Sequence, residues 1–248
     1  MPRFESLTDH IFRLRVPFMS VYTTVFLIRT PAGDAIVDAA TTDSDVEAYI
    51  LPALDEAGVT NVRCLIASHN HSDHAGGIPR LAKAFPDADL IALAVGRRPS
   101  DGELLLDHLE IVHLPGHCAD ALGVFDRRSD ALISCDCLQL YGLGCFGTGV
   151  SLPERYLESL DKLASRRIAH IFAAHDYHPL GFRADGDEEV ARYLAVCREA
   201  LLCIAATIAK NPTLDDAAVA EFYNKTTGLP TISAATVGKV RETEALFL

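Results

Sequence analysis

The chain has 248 residues, 49% of them hydrophobic, enough to bury a large core as one sizeable domain or two small ones. A formal charge of -12 argues against a nucleic-acid partner, because phosphate binding draws on a basic field. Seven cysteines with no Cys-x-x-Cys pair suit reduced thiols, and neither a membrane-length apolar run nor a charged-then-apolar leader is found, so a soluble, cytoplasmic protein without membrane attachment is expected.

In chain order, residues 11–16 alternate as a strand does, and residues 21–28 form a stronger one, rich in β-branched and aromatic side chains. Residues 31–34 make a turn and 35–38 return, which predicts a hairpin. Asp38 ends that strand either as the acceptor for a ligating imidazole or as a turn residue. From Thr42 the pattern is helical: Thr42 or Asp43 caps, Val46, Tyr49, Ile50 and Leu54 share a face, and Gly58 closes the helix.

Residues 62–66 read as a short buried strand, and the loop behind it carries His69, His71, Asp73 and His74 within six positions. A loop at the end of a buried strand is where chemistry can meet solvent. In extended chain, His69 and His71 fall on one side of the backbone and can share one ion; Asp73 and His74, just past the bend, can reach a second. A helix over 78–85 and a strand over 89–93 follow. Arg97 and Arg98 lie on the next loop, as solvated side chains or as contacts for an anionic group.

The strand pattern recurs over 109–114, broken by Pro115-Gly116 just before His117. His113 inside it reads as a face residue rather than a ligand, and His108 as surface. A hairpin pairs 121–125 with 131–137 and leaves Asp136 at a strand end, where an ionised carboxylate needs a cation or hydrogen bonds. Cys135 and Cys137 flank it and read as small buried thiols. Gly142, Gly144, Gly147 and Gly149 make a permissive stretch, expected to form a wall of the cleft. Ser151 is expected to cap a helix with Tyr156, Leu157, Leu160 and Leu163 buried, and residues 170–175 form a strand running into His175, with His178 the weaker ligand candidate. Three helices close the chain, over about 187–210, 214–224 and 232–246.

His69-x-His71-x-Asp73-His74, then His117 after Pro-Gly, a strand-end Asp136 and His175 after an apolar strand resemble the metallo-β-lactamase superfamily of hydrolases. The resemblance spans roughly residues 5–180. Two settings differ: the aspartate stands in Cys135-Asp136-Cys137 where Gly commonly precedes it, and the last histidine in Ala174-His175-Asp176 rather than a Gly-His-Gly-like run. His-Asp there resembles the lactonase branch, whose tyrosine after the bridging aspartate Tyr141 could match as a substrate contact.

The resemblance implies an α/β fold, an αββα four-layer sandwich of two mixed sheets flanked by helices, formed by residues 1–180, with 181–248 a helical appendage packed on it. It implies that His69, His71 and His117 bind one ion, that Asp73, His74 and His175 bind another, and that Asp136 bridges them. Nitrogen and carboxylate donors suit zinc, with iron or manganese also compatible. Two such ions can share a bridging hydroxide and polarise a carbonyl, giving a nucleophile at neutral pH, with Asp73 a candidate to move the proton. The leading expectation is therefore a dinuclear metal-dependent hydrolase of a small ester, thioester or lactone. The alternative is a mononuclear iron enzyme like the persulfide dioxygenases. A small-molecule substrate is expected, and dimerisation through the helical tail is compatible with the sequence. No Gly-x-Ser-x-Gly elbow supports a serine hydrolase.

Overall fold

Strands rich in β-branched and aromatic residues, β2 (Ile11–Phe18) and β3 (Val21–Ile28), make a long hairpin, paired without a slip from Ile11 opposite Ile28 to Phe18 opposite Val21. The structure, a computed structural model, describes residues 2–94, 96–140, 149–177, 179–229, 231–243 and 246. β4 (Asp34–Val37) returns antiparallel to β3, as the turn at 31–34 predicts. β5 (Val62–Ile66) and β6 (Asp89–Ile91) then add in parallel, and β1 (Glu5–Ser6) pairs with β2, giving a six-stranded sheet in the order β1-β2-β3-β4-β5-β6. Parallel neighbours need crossovers, and each crossover is helical.

The second sheet has the order β12-β11-β10-β9-β8-β7, from β7 (Leu104–Leu105), β8 (Leu109–His113), β9 (Leu122–Asp126), β10 (Ala131–Cys135), β11 (His170–Tyr177) and β12 (Gly181–Asp185). β10 and β11 run parallel, β11 and β12 antiparallel. The architecture is thus the expected one: two mixed six-stranded sheets flanked by helices, an αββα sandwich. Among the described residues, no helix is long and apolar enough to cross a membrane. Two compact units are distinguished, Met1–Val112 with Leu122–Ser129, and His113–Ala121 with Asp130–Leu248.

In the first unit, Thr42 caps α1 (Asp43–Asp45) through a reciprocal capping box with Asp45. The expected single helix is interrupted: a π-helical turn, Val46–Ile50, separates α1 from α2 (Leu51–Glu56). Pro52 explains it, since proline donates no amide hydrogen and its ring clashes with the carbonyl four residues back; the wider turn relieves both. Val46, Ile50 and Leu54 still bury against Leu14, Leu27, Ile36 and Leu65 of the sheet. The next crossover splits into α3 (Ser72–Ala75) and α4 (Ile78–Ala84).

In the second unit, α5 (Pro153–Ala164) begins with Leu152 at the cap position rather than Ser151, whose amide donates instead to the Gly116 carbonyl at 2.9 Å. β12 was not expected from the pattern, because Gly-Phe-Arg-Ala-Asp is neither apolar nor regularly alternating. α6 (Gly186–Lys210), α7 (Asp216–Thr226) and α8 (Ala234–Arg241) follow, with acidic Asp187, Glu188 and Glu189 in the first turn of α6, where the helix dipole favours them. Cys197, Leu201 and Ile204 are fully buried, as their spacing predicts. Arg241 ties α8 to α7 through Asp216 at 2.8 Å.

A Cβ on Gly77, at the N-terminus of α4, would lie 2.1 Å from the Ala39 carbonyl oxygen and 2.4 Å from a Val46 methyl. Gly77→Ala is therefore expected to destabilise the protein by roughly 1–3 kcal/mol, measured as a lower urea midpoint at unchanged slope; an unchanged midpoint would contradict this packing.

Candidate metal centre

Every predicted ligand on the first unit sits on the loop behind β5, and backbone bonds from neighbouring strands fix that loop. The Ala39 amide donates to the His74 carbonyl at 2.7 Å, and the Thr23 hydroxyl donates to the Asp73 carbonyl at 3.0 Å. Asp38, just past β4, is fully buried and adopts a left-handed backbone with φ 65°. Such strain in a non-glycine residue is sustained only where its surroundings hold it. Here the carboxylate accepts from the Ser68 amide at 2.8 Å, the Ser68 hydroxyl at 2.9 Å and His74 Nδ1 at 2.8 Å. Asp38 is thus the acceptor behind a candidate ligand rather than a simple turn residue.

These bonds fix two tautomers. A carboxylate only accepts, so His74 carries its proton on Nδ1 and presents the Nε2 lone pair. The Ser68 hydroxyl, committed to Asp38, accepts from His69 Nδ1 at 3.0 Å, so His69 likewise presents Nε2. The His69 ring lies 4.5 Å from that of His71 and 4.2 Å from that of His74, and Asp73 Oδ2 is 3.3 Å from His74 Nε2. His71 is exposed and the other three are buried.

The second unit carries His117, Asp136 and His175. A Cβ on Gly116 would meet the Tyr156 Cα at 2.7 Å, so only glycine lets α5 approach the loop that holds His117. His117 Nδ1 donates to the Gly149 carbonyl at 2.7 Å, and again Nε2 is left to ligate. The Gly149 amide in turn accepts support from α8, donating to the Thr236 hydroxyl at 3.3 Å. The β10–β11 register shifts between Ile133 and Cys135, and Cys135 turns left-handed with φ 46°, which swings Asp136 out of the ladder. Its Oδ2 then lies 3.7 Å from His117 Nε2 and its Oδ1 3.5 Å from His175 Nε2.

Within each unit the predicted ligands gather: His69, His71, Asp73 and His74 share the loop behind β5, and Asp136 stands between His117 and His175. The donor chemistry fits a divalent cation: neutral imidazoles presenting lone pairs, carboxylates, and no thiolate. Burial holds the Cys118 thiol well above its usual range, with Asp120 adding to the effect, so it stays protonated. Tyr141 and His178 lie outside the described residues. His108, expected at the surface, is instead half-buried; its Nε2 lies 3.6 Å from Asp126 Oδ1, and His10 bonds the other oxygen of that carboxylate at 2.8 Å. His113 is half-buried, and its carbonyl accepts from Lys162 at 2.8 Å.

One residue escaped the sequence reading. Tyr177 donates its hydroxyl to Asp136 Oδ1 at 2.6 Å. Burial, with the Asp136 carboxylate beside it, holds the Tyr177 hydroxyl well above the phenol range and keeps it a donor. The signal was present: His175 and Tyr177 are two apart on one strand, so both face one way.

Asparagine tolerates the left-handed backbone at position 38 but cannot accept all three hydrogen bonds. Asp38→Asn is expected to weaken zinc binding roughly 10–100-fold and to cost about 1–3 kcal/mol, read by chelator competition and urea unfolding; wild-type values in both would contradict the role assigned to Asp38.

Residues 20–107 match the family model of the metallo-beta-lactamase superfamily. A hydroxyacylglutathione hydrolase of Vibrio parahaemolyticus is 30% identical over 138 residues, covering 51% of this chain and 53% of that protein. A beta-lactamase-like protein 2 homolog of Caenorhabditis elegans is 26% identical over 194 residues, covering 69% of this chain and 63% of that one. The chain thus spans about half to two thirds of the length of these relatives. Among solved structures, TMB-1 superposes with TM-score 0.62 at 17% identity, covering 81% of this chain and 99% of that one. The sec-alkylsulfatase Pisa1 from Pseudomonas sp. superposes with TM-score 0.73 at 14% identity, covering 97% of this chain and 49% of that one. At such identities the structural likeness is one of fold. Family model, relatives and fold point the same way: over residues 20–107 the chain is similar to the metallo-beta-lactamase superfamily, and its fold is like that of TMB-1.

Proposed function

We propose that the protein is a dinuclear metal-dependent hydrolase, with zinc as the first candidate metal, acting on a small ester, thioester or lactone. The observation that carries this reading is Asp136, a buried carboxylate with one oxygen 3.7 Å from His117 Nε2 and the other 3.5 Å from His175 Nε2, the disposition of a group shared between two sites. In this reading His69, His71 and His117 hold one ion, Asp73, His74 and His175 the other, and Asp136 joins them. Divalent ions held there would lower the pKa of a water towards roughly 7 and polarise an acyl oxygen.

The chain's own residues do the rest. Asp38, Ser68 and Gly149 hold three imidazoles in the tautomer that ligates, so little reorganisation is needed on loading. Asp73 keeps a little solvent contact beside His74 and is the group assigned to carry a proton between substrate and water. The relatives' name, hydroxyacylglutathione hydrolase, describes removal of an acyl group carried by glutathione and comes within the proposed class. With this reading go a small-molecule substrate, a cytoplasmic location, and residues 1–180 as the catalytic part with 181–248, helical beyond β12, as an appendage.

Treatment with a chelator is expected to abolish ester or thioester turnover, and added zinc to restore it. One iron per chain with oxygen uptake and no hydrolysis would instead give the persulfide-oxidising alternative. His117→Ala is expected to lower turnover by roughly 100-fold or more with the fold kept, whereas His113→Ala retains metal and rate. A normal rate in His117→Ala would contradict the ligand assignment.

A further inference from the structure

Asp136 can serve two sites only if its carboxylate is held with one oxygen towards each. A lone carboxylate at a strand end rotates about its last torsion, and that torsion is broad and soft. Among the contacts that restrain it within the second unit are His117 on the Oδ2 side and His175 and Tyr177 on the Oδ1 side. Of these, only the Tyr177 hydroxyl is a non-ligating donor at short hydrogen-bond distance, 2.6 Å. The tyrosine is itself fixed. It closes β11 opposite Gly181 of β12, its side chain is buried, and its ring lies 5.9 Å from that of His175 two residues earlier on the same strand face.

We propose that Tyr177 is a positioning residue: its hydroxyl locks the Asp136 carboxylate in the bridging orientation, and so sets how tightly the protein holds two divalent ions together rather than one. This rests on the dinuclear reading above. In this proposal the phenol acts through Asp136, to which it donates at 2.6 Å, rather than on substrate or metal. β11 thereby delivers a ligand, His175, and the lock on a second ligand from one strand face. The strand-pairing register shift between Phe172 and Tyr177 frees this end of β11 from the regular ladder.

The test is a zinc titration of the full chain, by competition with a chromophoric chelator, on wild type, Tyr177→Phe, Asp136→Asn and the double variant. Tyr177→Phe is expected to keep the wild-type far-ultraviolet dichroism and to lose roughly 10–100-fold in affinity for one zinc. In the Asp136→Asn background the same substitution is expected to add almost nothing, since the group it orients has lost its bridging role. Wild-type zinc affinity in Tyr177→Phe would overturn the proposal. So would a full additional loss in the double variant, which would mark Tyr177 as a general packing residue. Failure of the wild type itself to bind two zinc ions would overturn the dinuclear reading instead, and the wild-type titration alone reveals it.

Discussion

A carboxylate carried into a protein interior is destabilising by several kcal/mol unless hydrogen bonds or a cation meet it, and two such carboxylates, Asp38 and Asp136, govern this molecule. They are satisfied in different ways. Asp38 is met entirely by the protein, through Ser68 and His74. Asp136 accepts from the Tyr177 phenol and stands near the imidazoles of His117 and His175, a setting suited to a positive charge. One acid organises the scaffold behind the candidate ligands, and the other is the bridging ligand we propose.

The fold serves that distinction by bringing chemistry to strand ends. β5 leads into His69, His71, Asp73 and His74; β8 into His117; β10 into Asp136; and β11 carries His175 near its end. Rigid strands set the origin of each loop, while hydrogen bonds behind the loop set each side chain. Asp38, which bonds His74, and Cys135, which precedes Asp136, both adopt left-handed backbone beside candidate ligands. Residues in such conformations persist only where packing over-determines them, and here each is buried.

Much of this was legible in the sequence because ligand chemistry restricts residue type. Few side chains can bind a divalent cation, and three histidines with an aspartate in six positions have little other use. The β2–β3–β4 meander and the buried stripe of α6 were legible because period 2 and period 3.6 are written into apolar placement. What escaped depends on partners distant in sequence. His108 looks like a surface residue until Asp126 is beside it, and β12 has no apolar signature because its place is set by pairing with β11. Tyr177 lies 41 positions from Asp136: its place two after His175 tells which way it faces, but not which carboxylate it meets. The π-helical turn at Pro52 is an intermediate case: the proline is visible, but whether the chain breaks or widens there depends on the sheet that Val46 and Ile50 must still reach.

The most direct test of the central claim is anomalous diffraction at the zinc edge from crystals of the zinc-loaded protein. Two peaks roughly 3.5–4 Å apart are predicted, with Asp136 between them and the histidine Nε2 atoms as neighbours. A single peak, or none beside Asp136, would contradict it.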